Sequence, residues 1–200
     1  CDGESTCHFF LPPLTTADEL QRWSAEARGL RGLTLARYGS RCIMNGSASP
    51  METLHAIMLS SPPELGGLGL GEPLLNMPLC LDDTDRGLMS RRSMRPDLFF
   101  PDLGIAIEHQ GRSHRSAAQY MEDASRSQMY AALGISVLAT SAQDVRGPEA
   151  YERFLRRLVR CIIRRGRPRL GHQLTDVLDN PTLCGTRESV LSALTDRPLQ

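Results

Sequence analysis

Two acidic residues occur at a spacing that predicts a cation site. Asp97 precedes the apolar run Leu98–Phe100, and Glu108 follows the apolar run Ile105–Ile107. The four residues 101–104 between the runs read Pro-Asp-Leu-Gly, which is the composition of a turn, so the stretch is predicted to be a β-hairpin. If the two runs pair symmetrically about this turn, Asp97 faces Glu108.

The predicted register brings oxygen-bearing side chains together. Directly opposed residues of antiparallel strands lie on one face with Cβ atoms about 5 Å apart. Side chains alternate along a strand, so Gln110 shares the face of Glu108 and His109 lies on the other. Two carboxylates this close repel unless a proton or cation lies between them, and such oxygen ligands suit a hard cation. Asp102 also follows a proline, but its place in the turn leaves it off this face, so Asp97 is the preferred ligand.

Charge is distributed unevenly along a chain of zero net charge. Residues 111–170 contain 12 arginines and 5 acidic residues, whereas residues 1–110 contain 9 arginines and 14 acidic residues. A basic segment that directly follows a carboxylate pair predicts a polyanionic substrate. The chain has no lysine, which excludes any mechanism that needs a lysine of this chain.

The cysteines and apolar segments restrict the class of protein. Six scattered cysteines without a C-x-x-C pair favour reduced thiols of a cytoplasmic protein over a disulfide framework or a zinc site. No apolar run approaches the ~18 residues of a membrane span, so no membrane partner is expected. The chain begins at Cys1 and is taken to be a fragment of a longer protein.

Helices and strands are predicted on both sides of the hairpin. Capping residues predict one helix after Thr16 and another after Ser49, where Glu52 would complete a capping box. Further predictions are a second small helix over 30–45, an edge strand over 74–81 that contains Pro78, a helix over 116–133, a buried strand over 135–140, a strongly amphipathic helix over 149–165, and a weakly specified tail with a short helix over 187–194.

Two polar helix faces have a functional and a structural interpretation each. On the helix after the hairpin, Gln119, Asp123, Arg126 and Tyr130 form one stripe, which is a solvated face or part of the site. On the amphipathic helix the arginines meet few acidic residues in sequence, which leaves open whether they bind phosphate or face solvent; the candidates for nucleic-acid binding are Arg153, Arg157 and Arg160.

The hairpin and its flanks resemble the PD-(D/E)xK nuclease superfamily, and most closely the small domains similar to very-short-patch repair endonucleases. The resemblance covers residues 47–165 and depends on four segments: Ser49-Pro50-Met51-Glu52, Arg95-Pro96-Asp97, Ile105 to Gly111 with His114, and the stretch from Gln119 through Arg126 to the strand Gly134–Leu138.

The resemblance implies an α/β fold of the restriction-endonuclease type, a mixed β-sheet flanked by helices, and Mg²⁺- or Mn²⁺-dependent hydrolysis of DNA phosphodiester bonds. Asp97, Glu108 and the backbone carbonyl of His109 would hold the metal, and Glu52 would add an outer contact. His114 would act as a general base or phosphate ligand, or be a structural imidazole. Arg112, Arg115 and Arg126 would contact phosphate.

The sequence departs from the superfamily pattern at Gln110, where a lysine is usual. Gln cannot carry charge or accept a proton at neutral pH, although it can orient a water molecule. Two functions therefore stay open: a metal-dependent DNA endonuclease in which Gln110 takes part, and a catalytically impaired nucleic-acid-binding module of the same fold.

The expected organisation has three parts: a helical N-terminal extension over 1–46, an endonuclease-like domain over 47–169 and a C-terminal tail over 170–200. The resemblance also implies a toxin–antitoxin component as an alternative, with a DNA-reading domain N-terminal to this fragment. A homodimer is a separate expectation for the chain's partners.

Overall fold

A four-stranded mixed sheet and seven α-helices form the protein over residues 13–79, 94–110 and 117–195, which the computed structural model describes, without the side chains of residues 117–124. The strands are β1 (Leu74–Leu75), β2 (Leu98–Phe100), β3 (Ile105–Gln110) and β4 (Ser136–Ser141). The helices are α1 (Ala17–Glu26), α2 (Leu33–Ser40), α3 (Pro50–Ser60), α4 (Ala117–Ala132), α5 (Pro148–Arg164), α6 (Pro168–Asp179) and α7 (Pro181–Thr195). The predicted α/β class is confirmed.

The sheet has the order β1-β2-β3-β4 and contains the predicted hairpin. Leu98 pairs with Ile107 and Phe100 with Ile105 across β2 and β3, so the predicted register is confirmed. A short 3₁₀ turn over Pro101–Leu103 closes the hairpin, and Gly104 follows it with φ +60°, a left-handed conformation that favours glycine.

The sheet separates two apolar layers. On one face, Leu98, Phe100, Ile105 and Ile107 pack into the main core with residues of α3, α5, α6 and α7. On the other face, Ala106 packs against Tyr130 of α4 in a smaller cluster. Strand alternation directs successive side chains of β2 and β3 to these two layers.

β4 pairs parallel to β3 and lies at the edge of the described sheet. The prediction that this strand is buried was wrong, because Val137 is 36% exposed and Ala139 is exposed, whereas Thr140 is buried. The strand is partly exposed because it pairs with only one neighbouring strand, β3, among the described residues. β1 lies at the opposite edge, as predicted from Pro78, but it is shorter than the predicted span: it covers Leu74–Leu75, and residues 76–79 are not part of the strand.

The N-terminal helices follow their capping signals. Thr16 and Glu19 form a reciprocal capping box at the start of α1. α2 is shorter than the predicted span because Gly32, with φ +80°, precedes its first turn.

The C-terminal segment forms two helices where one short helix was predicted. α6 and α7 fold back so that Leu174, Leu178 and Leu191 enter the main core at 4%, 3% and 1% exposure. α7 contains the predicted residues 187–194 and is longer, and α6 was not predicted. Residues 168–195 are therefore part of the packed structure in contact with α3 and α5.

Two further expectations concern the whole chain. No helix in the described ranges is long and apolar enough to cross a membrane. Cys42, Cys161 and Cys184, the cysteines that the structure describes, are not paired in disulfides.

Candidate functional site: a carboxylate cluster and a histidine chain

Glu52 is fixed at the start of α3 by its own helix terminus. Ser49 caps the helix by accepting from the Glu52 backbone N–H, and the Ser49 hydroxyl donates to Glu52 Oε1 at 2.9 Å. Glu52 Oε2 accepts from the Ala48 backbone N–H at 2.7 Å and from the Asn76 side-chain amide. The side chain is 7% exposed, so a carboxylate with all these donors is retained inside the protein. The predicted capping box is therefore formed only in part: Ser49 caps the helix, but the Glu52 carboxylate accepts from the Ala48 backbone N–H instead of that of Ser49.

Asp97 lies beside two other carboxylates. Its Oδ2 accepts from the His109 backbone N–H at 2.7 Å, a contact that connects the ends of β2 and β3. Burial raises the pKa of Asp97, the His109 N–H opposes this, and the charges of Glu52 and Glu108 raise the pKa further. Glu52, Asp97 and Glu108 are called the carboxylate cluster below. Repulsion between these carboxylates is what the predicted register led us to expect.

Glu108 is held from α4 by two donors. Arg126 Nη2 and the Tyr130 hydroxyl each lie 2.6 Å from Glu108 Oε1. The ion pair is only partly exposed, at 39% for Arg126 and 22% for Glu108, so it is stronger than a pair at the open surface. Arg126 also opposes the rise in the pKa of Asp97. Arg126 and Tyr130, the second half of the polar stripe on α4, therefore contact the site.

His109 lies on the opposite face of β3, as strand alternation predicted, and joins a buried chain of hydrogen bonds. Its Nδ1 is 3.1 Å from Thr140 Oγ1, which is 3.0 Å from His55 Nε2. His55 Nδ1 is 3.1 Å from the Tyr151 hydroxyl. These four residues, called the histidine chain below, come from β3, β4, α3 and α5.

Burial keeps His55 uncharged near neutral pH. His55 is fully buried, and this lowers its pKa to about 4, with a smaller contribution from the charge of His109. Burial also lowers the pKa of His109, while Asp144 and Glu52 raise it. The His109 backbone N–H donates to Asp97 Oδ2, so the chain ends beside the carboxylate cluster.

The described residues offer few ligands to a metal. No group of three or more His, Cys, Asp or Glu side chains in the described part of the chain is arranged to hold a metal ion. Asp97 and Glu108 remain a two-carboxylate set, and Mg²⁺ in phosphoryl-transfer sites is commonly held by one or two carboxylates together with substrate phosphate oxygens. The charges that raise the pKa of Asp97 fit the addition of a cation.

The other residues predicted for the site fall into three groups. Gln110 is exposed at the end of β3, where it pairs in register with Ser141. Arg153, Arg157 and Arg160 are exposed on α5. Three residues lie outside the described ranges, namely Arg112, His114 and Arg115, and so do the side chains of Gln119 and Asp123.

Acidic partners occupy part of the arginine face of α5. Arg157 pairs with Asp144 at 2.6 Å, and Arg156 pairs with Glu152 at 2.8 Å and Asp179 at 2.7 Å. The expectation that almost no acidic residue balances this face was wrong for these two arginines. Asp144 and Asp179 lie on other elements, so spacing along α5 could not show them.

Sequence reasoning did not assign Tyr130, Asn76, His55 or Thr140 to the site. Tyr130 had a signal, because it lies four residues after Arg126 on the same helix stripe. His55 and Thr140 are 85 residues apart in sequence and meet only through the packing of α3 on the sheet. Nothing local distinguishes His55 from an ordinary core residue.

The chain matches no protein-family model, no curated protein and no solved structure. A functional assignment therefore depends on the contacts described above.

Proposed function

We propose that this protein is a metal-dependent phosphodiesterase that acts on nucleic acid, with a fold of the restriction-endonuclease type. One observation carries the proposal: Leu98 pairs with Ile107, so the flanking Asp97 and Glu108 are opposed if the same register continues by one residue. Burial raises the pKa of Asp97, and the charges of Glu52 and Glu108 raise it further. Asp97 and Glu108 would hold Mg²⁺ or Mn²⁺, with the His109 carbonyl as the further ligand. The metal, when bound, would polarise a phosphate and lower the pKa of a water molecule.

The chain's own residues would orient the reactants. The His109 N–H fixes Asp97 Oδ2, so the other carboxylate oxygen, Oδ1, is directed by a rigid backbone contact. Gln110 is exposed on the Glu108 face of β3 and can hold a water molecule by hydrogen bonding. Arg126 would stabilise negative charge on a phosphate beside Glu108.

A second function is favoured by the contact between Glu108 and Arg126. In this arrangement a guanidinium already neutralises the carboxylate, as in a structural ion pair, and Gln110 supplies no proton-accepting group. The protein would then bind nucleic acid without cleaving it. Cytoplasmic location, a homodimer, a further DNA-reading domain and a toxin–antitoxin role are additional proposals, and the genomic neighbourhood would test the last.

Cleavage assays with matched variants separate the two functions. The purified chain is incubated with Mg²⁺ or Mn²⁺ and with single-stranded or duplex DNA. If the protein is a nuclease, Asp97→Asn and Glu108→Gln abolish cleavage, whereas Asp102→Asn, an exposed Pro-Asp residue in the hairpin turn, leaves it unchanged. Absence of cleavage by the parent chain, together with salt-dependent DNA binding, would support the binding module. Full activity of Glu108→Gln would contradict the proposed active site.

Metal affinity provides a pH-dependent test. Because the pKa of Asp97 is raised, a proton competes with the cation at a higher pH than for an ordinary aspartate. Mn²⁺ affinity measured by isothermal titration calorimetry should therefore fall as pH decreases, starting above the usual range of an aspartate. Asp97→Asn should lose measurable Mn²⁺ binding and Asp102→Asn should keep the parent's profile; equal profiles for all three proteins would contradict the site.

A further inference from the structure

A groove lined by arginines runs between α5 and the edge strand β4. Its volume is about 530 Å³, and it is lined by Ser136, Leu138, Arg157, Arg160, Cys161, Arg164 and Arg165. This set is called the arginine groove below. Its lining contains four arginines and no acidic residue, although Asp144 pairs with Arg157 at one end.

The free positive charge of the groove is concentrated at Arg160 and Arg164. Arg165 is occupied, since its Nε donates to the Leu103 carbonyl at 3.0 Å. Within the described residues, neither Arg160 nor Arg164 forms an ion pair, and both are exposed. Two unpaired guanidinium groups on one wall of a cleft attract an anion with several charges.

The spacing of the charges fits a chain of phosphates. Residues 157 to 165 rise about 12 Å along α5. A stacked nucleic-acid strand carries one phosphate per about 3.4 Å, so this length spans about three or four phosphates. The Arg157 end approaches the end of β4, because Arg157 pairs with Asp144 and Asp144 accepts from the Ser141 backbone N–H. Ser141 pairs in register with Gln110, so a strand in the groove leads toward the end of β3.

The opposite wall suits exposed bases better than a closed duplex. The arginines form one row on one helix, so they can follow one backbone. β4 is an edge strand in the described sheet, and an edge presents unpaired N–H and C=O groups. Leu138 and Cys161 add apolar surface. A single strand offers bases to such groups and to guanidinium planes, whereas a duplex keeps its bases paired inside.

We propose that the arginine groove binds one single strand of nucleic acid, with Arg160 and Arg164 contacting two of its phosphates and the edge of β4 facing the bases. The inference deepens the proposed function and depends on its nucleic-acid substrate. The sequence suggested Arg153 as a phosphate ligand, but Arg153 does not line the groove. Arg164 lines it and takes this role in the proposal.

Fluorescence anisotropy in EDTA tests the groove without cleavage. The full chain is titrated onto labelled strands of about 12 nucleotides, as single-stranded DNA, single-stranded RNA and duplex DNA, over a salt series. Single strands should bind more tightly than the duplex. The double variant Arg160→Gln/Arg164→Gln should weaken single-strand binding about tenfold and reduce the salt slope by about 1.4, which corresponds to two lost phosphate contacts.

Two control variants make the result specific. Arg153→Gln/Arg169→Gln removes the same charge from exposed residues that do not line the groove, and it should bind as the parent does. Arg160→Lys/Arg164→Lys keeps the charge and should retain most of the affinity, with circular dichroism confirming that all variants fold.

The proposal would be overturned if both glutamine variants lost the same affinity for single strands, or if the duplex bound as tightly as the single strands. Because EDTA removes metal, these outcomes do not depend on whether Asp97 and Glu108 cleave. Binding of either single strand supports the groove, and the ratio of DNA to RNA affinity identifies the sugar that it accepts.

Discussion

At the scale of single residues, the site combines features that are visible in the sequence with features that are not. The opposition of Asp97 and Glu108 follows from a turn and two apolar runs, so counting residues was sufficient to predict it. The ion pair between Glu108 and Arg126 depends on how α4 crosses the sheet. The burial of His55 depends on the packing of α3 against β4 and α5. Contacts of this kind are tertiary, and no spacing rule predicts them.

His55 should make the protein less stable in acid. Its pKa of about 4 in the folded protein lies below its value of about 6.5 in the unfolded chain, so the unfolded chain binds more protons between these values. Lowering the pH from 7 to 4 should therefore reduce the free energy of unfolding by about 3 kcal/mol through this residue. Urea unfolding at a series of pH values measures the loss.

His55→Gln should show a flatter pH dependence than the parent, because the titrating ring is removed. His172→Gln, a change at an exposed histidine of α6, should keep the parent's dependence. If His55→Gln and the parent lose stability in parallel below pH 6.5, another group is responsible for the acid sensitivity.

At the scale of elements, the hairpin turn is fixed both by its own conformation and by a distant arginine. Gly104 has φ +60°, and a Cβ atom at this position would lie 2.3 Å from Arg165 Nη2. Arg165 comes from the end of α5 and also donates to the Leu103 carbonyl. The turn was predictable from Pro101 to Gly104, but the support from Arg165 was not, because 61 residues separate it from the glycine.

Gly104→Ala should be more destabilising than Gly134→Ala. Both glycines have a left-handed φ, at +60° and +67°, so an alanine costs about 1 kcal/mol at either position. A Cβ at Gly134 meets nothing within 4 Å, whereas at Gly104 it displaces Arg165, which should cost about 1 kcal/mol more through the lost hydrogen bond. Chemical denaturation of both variants measures the difference; equal losses would show that Arg165 does not support the turn.

At the scale of the whole molecule, the order of strands and helices from α3 to α5 agreed with the prediction, but the role of the C-terminal segment did not. Pro168 and Pro181 each begin a helix, a position that proline favours, so a signal for two helices was present. α7 is weakly amphipathic because apolar residues such as Leu194 also lie on its exposed side. The sequence pattern therefore did not reveal that Leu174, Leu178 and Leu191 complete the core.

Two leucines of α7 should differ sharply in their contribution to stability. Leu191 is 1% exposed in the main core, and Leu194, three residues later, is 37% exposed. Leu191→Ala should lower the free energy of unfolding by about 2–5 kcal/mol through lost burial and a cavity. Leu194→Ala should change it by less than about 0.5 kcal/mol. Similar effects of the two changes on urea unfolding would show that α7 is not packed as described.

The histidine chain imposes a constraint on how this protein can vary. Tyr151, His55, Thr140 and His109 belong to four different elements, and each of the three hydrogen bonds shares a residue with its neighbour. Replacing one member leaves a buried polar atom of the next without its partner, a penalty that a second, apolar replacement can remove. Substitutions at these positions should consequently be epistatic, so that a change harmful alone becomes tolerated after another. An evolutionary path from this polar interior to an apolar one would have to cross less stable intermediates.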